Sequence, residues 1–142
     1  MKLAEAMTKQ YDICVEIAEL NYEYEICALT PSDEKPPKDA AQILESMQAK
    51  YDELAGLECQ ISRTNKKYSI DSLIVKRNQQ KRQYRLLNIG YRAAFGRRRF
   101  NNDRFRVYKD LNLLRDKMHD ALAQYRQFDI EIQKLNRSVD LI

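Results

Sequence analysis

Nine apolar or small residues near the C-terminal end of the chain recur at alternating steps of three and four. They are Leu111, Leu114, Met118, Ala121, Tyr125, Phe128, Ile132, Leu135 and Val139. A heptad seam sustained this long predicts a helix that packs lengthwise against other helices. With three Gly and three Pro among 142 residues, there is little room for a turn-rich β architecture. The length suits one domain over 1–142.

The rest of the chain divides into segments of the same kind. The periodicity predicts helices over about 2–29, 39–65, 70–94 and 110–138. In the first, Leu3, Ala6, Ile13, Ile17, Leu20, Tyr24 and Cys27 mark one seam, interrupted by Gln10. Ala4, Met7, Tyr11, Cys14 and Ala18 mark a second seam beside it. Two seams make a stripe too wide for one neighbour, as expected of a helix that touches its own bundle and another subunit. The Pro-rich stretch Thr30–Pro37 ends this helix, and Asp39 is the candidate cap of the next. The second helix should close near Asn65, a residue type that tolerates the left-handed conformation.

Between about 95 and 109 the helical period fails. Gly96-Arg97-Arg98-Arg99-Phe100 and Arg104-Phe105-Arg106-Val107-Tyr108 read as two short arms about Asn101-Asn102-Asp103, a loop or β-hairpin. The expected fold class is all-α: an antiparallel bundle of four long helices, with a short Arg-rich loop or β-hairpin before the last.

Charge is segregated along the chain. Residues 1–34 carry two basic and eight acidic side chains, whereas residues 70–109 carry twelve basic and two acidic. Either these parts pair, within or between subunits, or the basic part meets an external anion. The third helix contains eight polar residues in succession, Lys76–Gln83. Buried unpaired, such charges would cost several kcal/mol each. The expectation is a polar cluster in which Arg77 and Arg82, or their neighbours, pair with first-helix acids such as Glu16, Glu19 or Glu23, within or across subunits.

The segment 91–108 is the one candidate for direct biochemistry. It offers Arg92, Arg97, Arg98, Arg99, Arg104 and Arg106 among Tyr91, Phe95, Phe100, Phe105 and Tyr108. Guanidinium groups neutralise phosphates and aromatics stack on bases, which suits single-stranded nucleic acid. In the competing reading the Arg forks bind acidic residues of another subunit while Phe packs beneath them.

No catalytic or metal residues are assigned. His119 is the sole histidine, and Asp116-x-x-His119 supplies half of a helical carboxylate metal site, which one histidine cannot complete. There is no Gly-rich phosphate loop and no recognisable nucleophile–His–acid spacing, so neither an enzyme nor a cofactor is expected. Cys14, Cys27 and Cys59 form no Cys-x-x-Cys pair and read as reduced thiols. With no apolar run near the roughly 18 residues of a spanning helix, a cytoplasmic location and no membrane insertion are expected.

Three stretches together carry a resemblance over nearly the whole chain: Met1-Lys2-Leu3-Ala4-Glu5-Ala6, Ile61-Ser62-Arg63-Thr64-Asn65, and Ile130-Glu131-Ile132-Gln133-Lys134-Leu135-Asn136. They resemble a family of small bacterial helical proteins of unknown function often labelled septicolysin. The resemblance implies a long-helix bundle that forms oligomers, and it brings no catalytic residues. The label implies a cytolysin, but no spanning or alternating segment of the kind a pore needs is visible, so that reading is placed last. The leading expectation is a non-enzymatic homo-oligomer with a structural or protein-interaction role. A single-stranded nucleic-acid-binding module is the alternative.

Overall fold

The structure, a computed structural model, describes the backbone of residues 1–99 and 111–142 and the side chains of 1–96 and 111–142. Those residues form four helices and no strand: α1 (Leu3–Ala28), α2 (Ala40–Lys67), α3 (Ile70–Arg99) and α4 (Leu111–Ser138).

Local chemistry accounts for the helix ends. At the start of α1 the Glu5 carboxylate accepts the Lys2 amide at 2.8 Å, which satisfies a free donor and places an acid at the positive end of the helix dipole. Pro31 follows shortly after α1 and cannot continue it. Asp39 caps α2, its carboxylate accepting the Ala41 amide at 3.0 Å. α2 does not close at Asn65: the Tyr68 amide still bonds the Thr64 carbonyl at 3.1 Å. The left-handed residue of this turn is Ser69, with φ of 56°.

α3 also outruns its expected end near residue 94 and continues through Arg99. The first arm of the expected hairpin, Gly96–Arg99, is therefore helical. Arg is a good helix former, and a single interior Gly costs only about 1 kcal/mol. A stack of Tyr91 on Phe95, one turn apart with centroids at 6.1 Å, reinforces the last turns. The remainder of that loop or hairpin lies outside the described residues.

The chain divides into two compact units: Met1–Tyr68 with Asn136–Ile142, and Ser69–Leu135. In the first, α1 and α2 form an antiparallel hairpin. Leu3, Ala6, Ile13, Ile17 and Cys27 from α1, and Ile43, Met47, Leu57 and Ile61 from α2, are buried. Burying an Ile or Leu side chain is worth roughly 1.5–3 kcal/mol, so this apolar seam holds the pair. Solvent-facing ion pairs along its edge are consistent with the register it sets: Lys9 with Glu53, Glu16 with Lys50 and Glu23 with Lys38.

The open end of this hairpin is closed by the C-terminal segment. The Leu3 amide donates to the Val139 carbonyl at 3.1 Å, and the Leu141 amide to the Met1 carbonyl at 2.9 Å. Lys2 Nζ meets Asp140 at 2.8 Å. Thr64, wholly buried, donates its hydroxyl to the Gln60 carbonyl at 2.8 Å and accepts the Ile142 amide at 3.2 Å.

In the second unit, α3 and α4 run antiparallel. Arg77 meets Asp129, while Gln80, Gln83, Leu86 and Leu87 with Lys117, Asp120, Ala121 and Gln124 line one shallow groove. Ile70, Ala94, Leu114, Met118, Ala121 and Ile132 are buried. Every one of the nine seam residues from Leu111 to Val139 is buried or half-buried.

Two outcomes follow. Thr64→Val keeps the shape but loses both hydrogen bonds, and should lower stability by roughly 1 kcal/mol in denaturant unfolding; Thr64→Ser should retain most of it. The Lys2 ammonium, by hydrogen bond and charge, holds the Asp140 carboxyl below its usual range. Its contribution is therefore present above that range and lost as pH falls through it. Exchange protection of the Leu3 and Leu141 amides should hold down to about pH 5 and drop as pH falls through about 4 and below, and constant protection across that fall would contradict it.

Candidate functional site

The α1 seam that faces α2 leaves the second seam without a neighbour in the described structure. Met7, Tyr11, Cys14, Val15, Ala18, Tyr22 and Ile26 are all exposed, with Tyr11 at 69% and Tyr22 at 67%. Single exposed apolar residues are ordinary, whereas a contiguous stripe along a whole helix marks an interaction surface. Asp12, Glu16, Glu19 and Glu23 border it at steps of four, three and four. α1 carries six acidic side chains and one basic.

α3 is its electrostatic opposite, with nine basic side chains and one acidic. Val75, Leu86 and Ile89 are exposed on its outer face, at 3.6-residue periodicity with Arg82 between them. Lys81, Arg85 and Arg92 run along one border of that face, all exposed.

The polar run Lys76–Gln83 is divided by burial: Arg77, Asn78 and Gln80 are half-buried, and the other five are exposed. Arg77 Nη1 donates to Asp129 Oδ1 at 2.8 Å, and Nη2 reaches Asn78 Oδ1 at 3.5 Å. The side chains of this pair are 25% and 35% exposed. Arg77 Nε is buried without a hydrogen-bond partner, so the site is incompletely satisfied.

Within one chain the partners differ from those expected. Arg77 takes an acid from α4, Glu16 takes Lys50 from α2, and Glu23 takes Lys38 from the connection before α2. Charge arithmetic identifies an excess but not the acid that faces it. Asp129 gave one signal: it sits one residue past Phe128 on the α4 seam, where a charge at the seam's edge needs a partner. Arg82 and Glu19 are exposed and form no ion pair among the described residues.

Of the Arg and aromatic segment, Arg92 is exposed and follows Tyr91 of the Tyr91–Phe95 stack in sequence. Arg97, Arg98 and Arg99 lie on the last turn of α3, with their side chains outside the described residues. Phe100, Arg104, Phe105 and Arg106 fall outside the described residues altogether. His119 and Asp116 are both exposed on α4. Among the described residues no three His, Cys, Asp or Glu side chains gather in a metal-binding group.

Residues 10–141 match the model of a family of unknown function, DUF6847. The chain belongs to that family. The family's description names no activity, and nothing in it carries the septicolysin label. A crystal structure of a functionally unknown conserved protein from Corynebacterium diphtheriae has the same fold, with a TM-score of 0.85 at 22% identity, covering 100% of this chain and 99% of that one. No curated protein matches this DUF6847 chain.

Asp129→Asn should destabilise the second unit by roughly 1–2 kcal/mol. That lies between an exposed pair at about 0.2–1 and a fully buried one at about 3–5. The double change Arg77→Met/Asp129→Leu should recover most of the loss, because it removes both charges and the unsatisfied Nε together. Thermal unfolding of the three proteins decides it.

Proposed function

We propose that this DUF6847 chain is a non-enzymatic cytoplasmic protein, built as a helical bundle, that self-associates and serves a structural or protein-interaction role. The observation that carries the reading is the exposed apolar stripe on α1. An amphipathic helix that already buries one seam gains nothing in water from a second, and covering it releases the same free energy per unit area that holds a core together. Two of its residues are tyrosines, whose apolar rings and polar tips suit interface positions. The three free thiols, Cys14, Cys27 and Cys59, fit a reducing compartment. Among the described residues no helix is long and apolar enough to cross a membrane, and a cytolysin draws no support from the helices.

A second reading rests on exposed Arg92, next in sequence to Tyr91 of the Tyr91–Phe95 stack, with Phe95 54% exposed. A ring and a guanidinium together at a surface can take a base and a phosphate of single-stranded nucleic acid.

Light scattering at micromolar concentration and physiological salt should give a mass above that of one chain. Tyr11→Lys/Tyr22→Lys should reduce that mass to the monomer while leaving the helical signal unchanged. A wild-type monomer under these conditions refutes self-association. Binding of labelled oligo-dT that weakens linearly with log salt, and is lost in Arg92→Ala/Phe95→Ala, would favour the second reading.

A further inference from the structure

The two outer helix faces match each other in pattern as well as in charge. On α1, the acidic border from Asp12 to Glu23 spans eleven residues in steps of four, three and four. On α3, the basic border from Lys81 through Arg85 to Arg92 spans the same eleven residues, in steps of four and seven with Asn88 between. At ~1.5 Å per residue each border is about 16 Å long. Each runs beside an exposed apolar stripe, Tyr11, Ala18 and Tyr22 on α1 and Leu86, Ile89 and Ala93 on α3.

We propose that α1 of one copy docks lengthwise on α3 of a second copy, apolar stripe against apolar stripe and acidic border against basic border. The proposal rests on the self-association reading and names the surfaces that meet. Pairing of α1 with α1 would set acidic borders side by side, and pairing of α3 with α3 would do the same with basic ones; like charges at such an interface are repulsive. The mixed pairing satisfies both. Asp12 and Glu19 on one side, and Lys81, Arg85 and Arg92 on the other, make no ion pair among the described residues, so each border has charges to offer. Arg82 lies within the α3 stripe itself, placed for a guanidinium to reach an acid across the interface. A contact between unlike surfaces of identical chains is heterologous, and its strength falls as salt screens the two borders.

The test uses two variants of the full chain, Asp12→Lys/Glu19→Lys and Lys81→Glu/Arg85→Glu, run alone and as an equimolar mixture by sedimentation velocity. The first variant makes positive the two α1 border acids that have no ion pair among the described residues, against a basic α3 border, and the second makes two of the three basic α3 border residues negative, against an acidic α1 border. Each alone should associate at least tenfold more weakly than wild type, and the mixture should recover the wild-type mass. Undiminished association of either variant, or a mixture that stays dissociated, overturns this pairing while a self-associating wild type leaves the general reading intact. A monomeric wild type overturns both. If it is monomeric and also retains labelled oligo-dT through Lys81 and Arg85, the basic border belongs to nucleic acid. Should a reversal lose its helical signal, Asp12→Asn/Glu19→Gln replaces it. Flattening of the wild-type salt dependence is then the supporting result, and unchanged salt dependence the overturning one.

Discussion

An α-helix can turn only one face toward a single neighbour, and α1 has apolar residues on two. Over its 26 residues, Leu3, Ala6, Ile13, Ile17 and Cys27 are buried within its own unit, and the direction of that seam fixes everything else about the helix. It turns Tyr11, Ala18 and Tyr22 to water, and it puts the acids between the two stripes, where some reach lysines of α2 and others do not. Apolar burial decides the pairing of the two helices, and the lysine–glutamate contacts follow from it. The exposed stripe is thus a by-product of a geometry that α1 cannot escape within its own unit.

Charge plays a different part in each unit. Along the edge of α1 and α2 it is bathed in solvent and follows the register that apolar burial sets. Lys50 illustrates this: its ammonium is held above its usual range, chiefly by the hydrogen bond to Glu16 with Glu53 adding to it. Between α3 and α4 the Arg77–Asp129 pair is partly withdrawn from water, where an ion pair gives specificity more readily than stability. The two helices that carry the largest opposite charges, α1 and α3, have much of that charge unmatched among the described residues.

Periodicity made most of this legible. The α4 seam is buried or half-buried at all nine positions read from the sequence, because a heptad repeat reports a face directly. Both α1 seams were legible for the same reason, as was the Asp39 cap. What escaped were features without a period. The helical course of Gly96–Arg99 was hidden because one glycine and three arginines carry no apolar rhythm, although their propensity permits helix. The partner of Arg77 was hidden because net charge is a sum and cannot say which acid lies across the groove. The closure of Leu3 and Lys2 by Val139 and Asp140 had no local signal at all: it is backbone hydrogen bonding between segments far apart in the chain. The stretches that carry the family resemblance contribute Leu3, Ala6, Ile61, Thr64 and Asn136 to this one unit, all buried. The rest of the third stretch, with buried Ile132, belongs to the second unit.

That closure has a consequence for the order in which the protein assembles. The second unit is one uninterrupted stretch, whereas the first is made from both flanks of it. The contact of Lys2 with the Ser138 carbonyl joins residues 136 positions apart, so its loop-closure entropy is among the largest the chain can incur. On a ribosome the α1–α2 hairpin emerges before the α3–α4 unit, yet lacks its last strip of backbone until residues 136–142 follow. During that interval the buried end of α1, with Leu3 at its tip, is open to water and to other nascent copies. The α3–α4 pair, complete in itself, brings the two flanks toward each other as it forms.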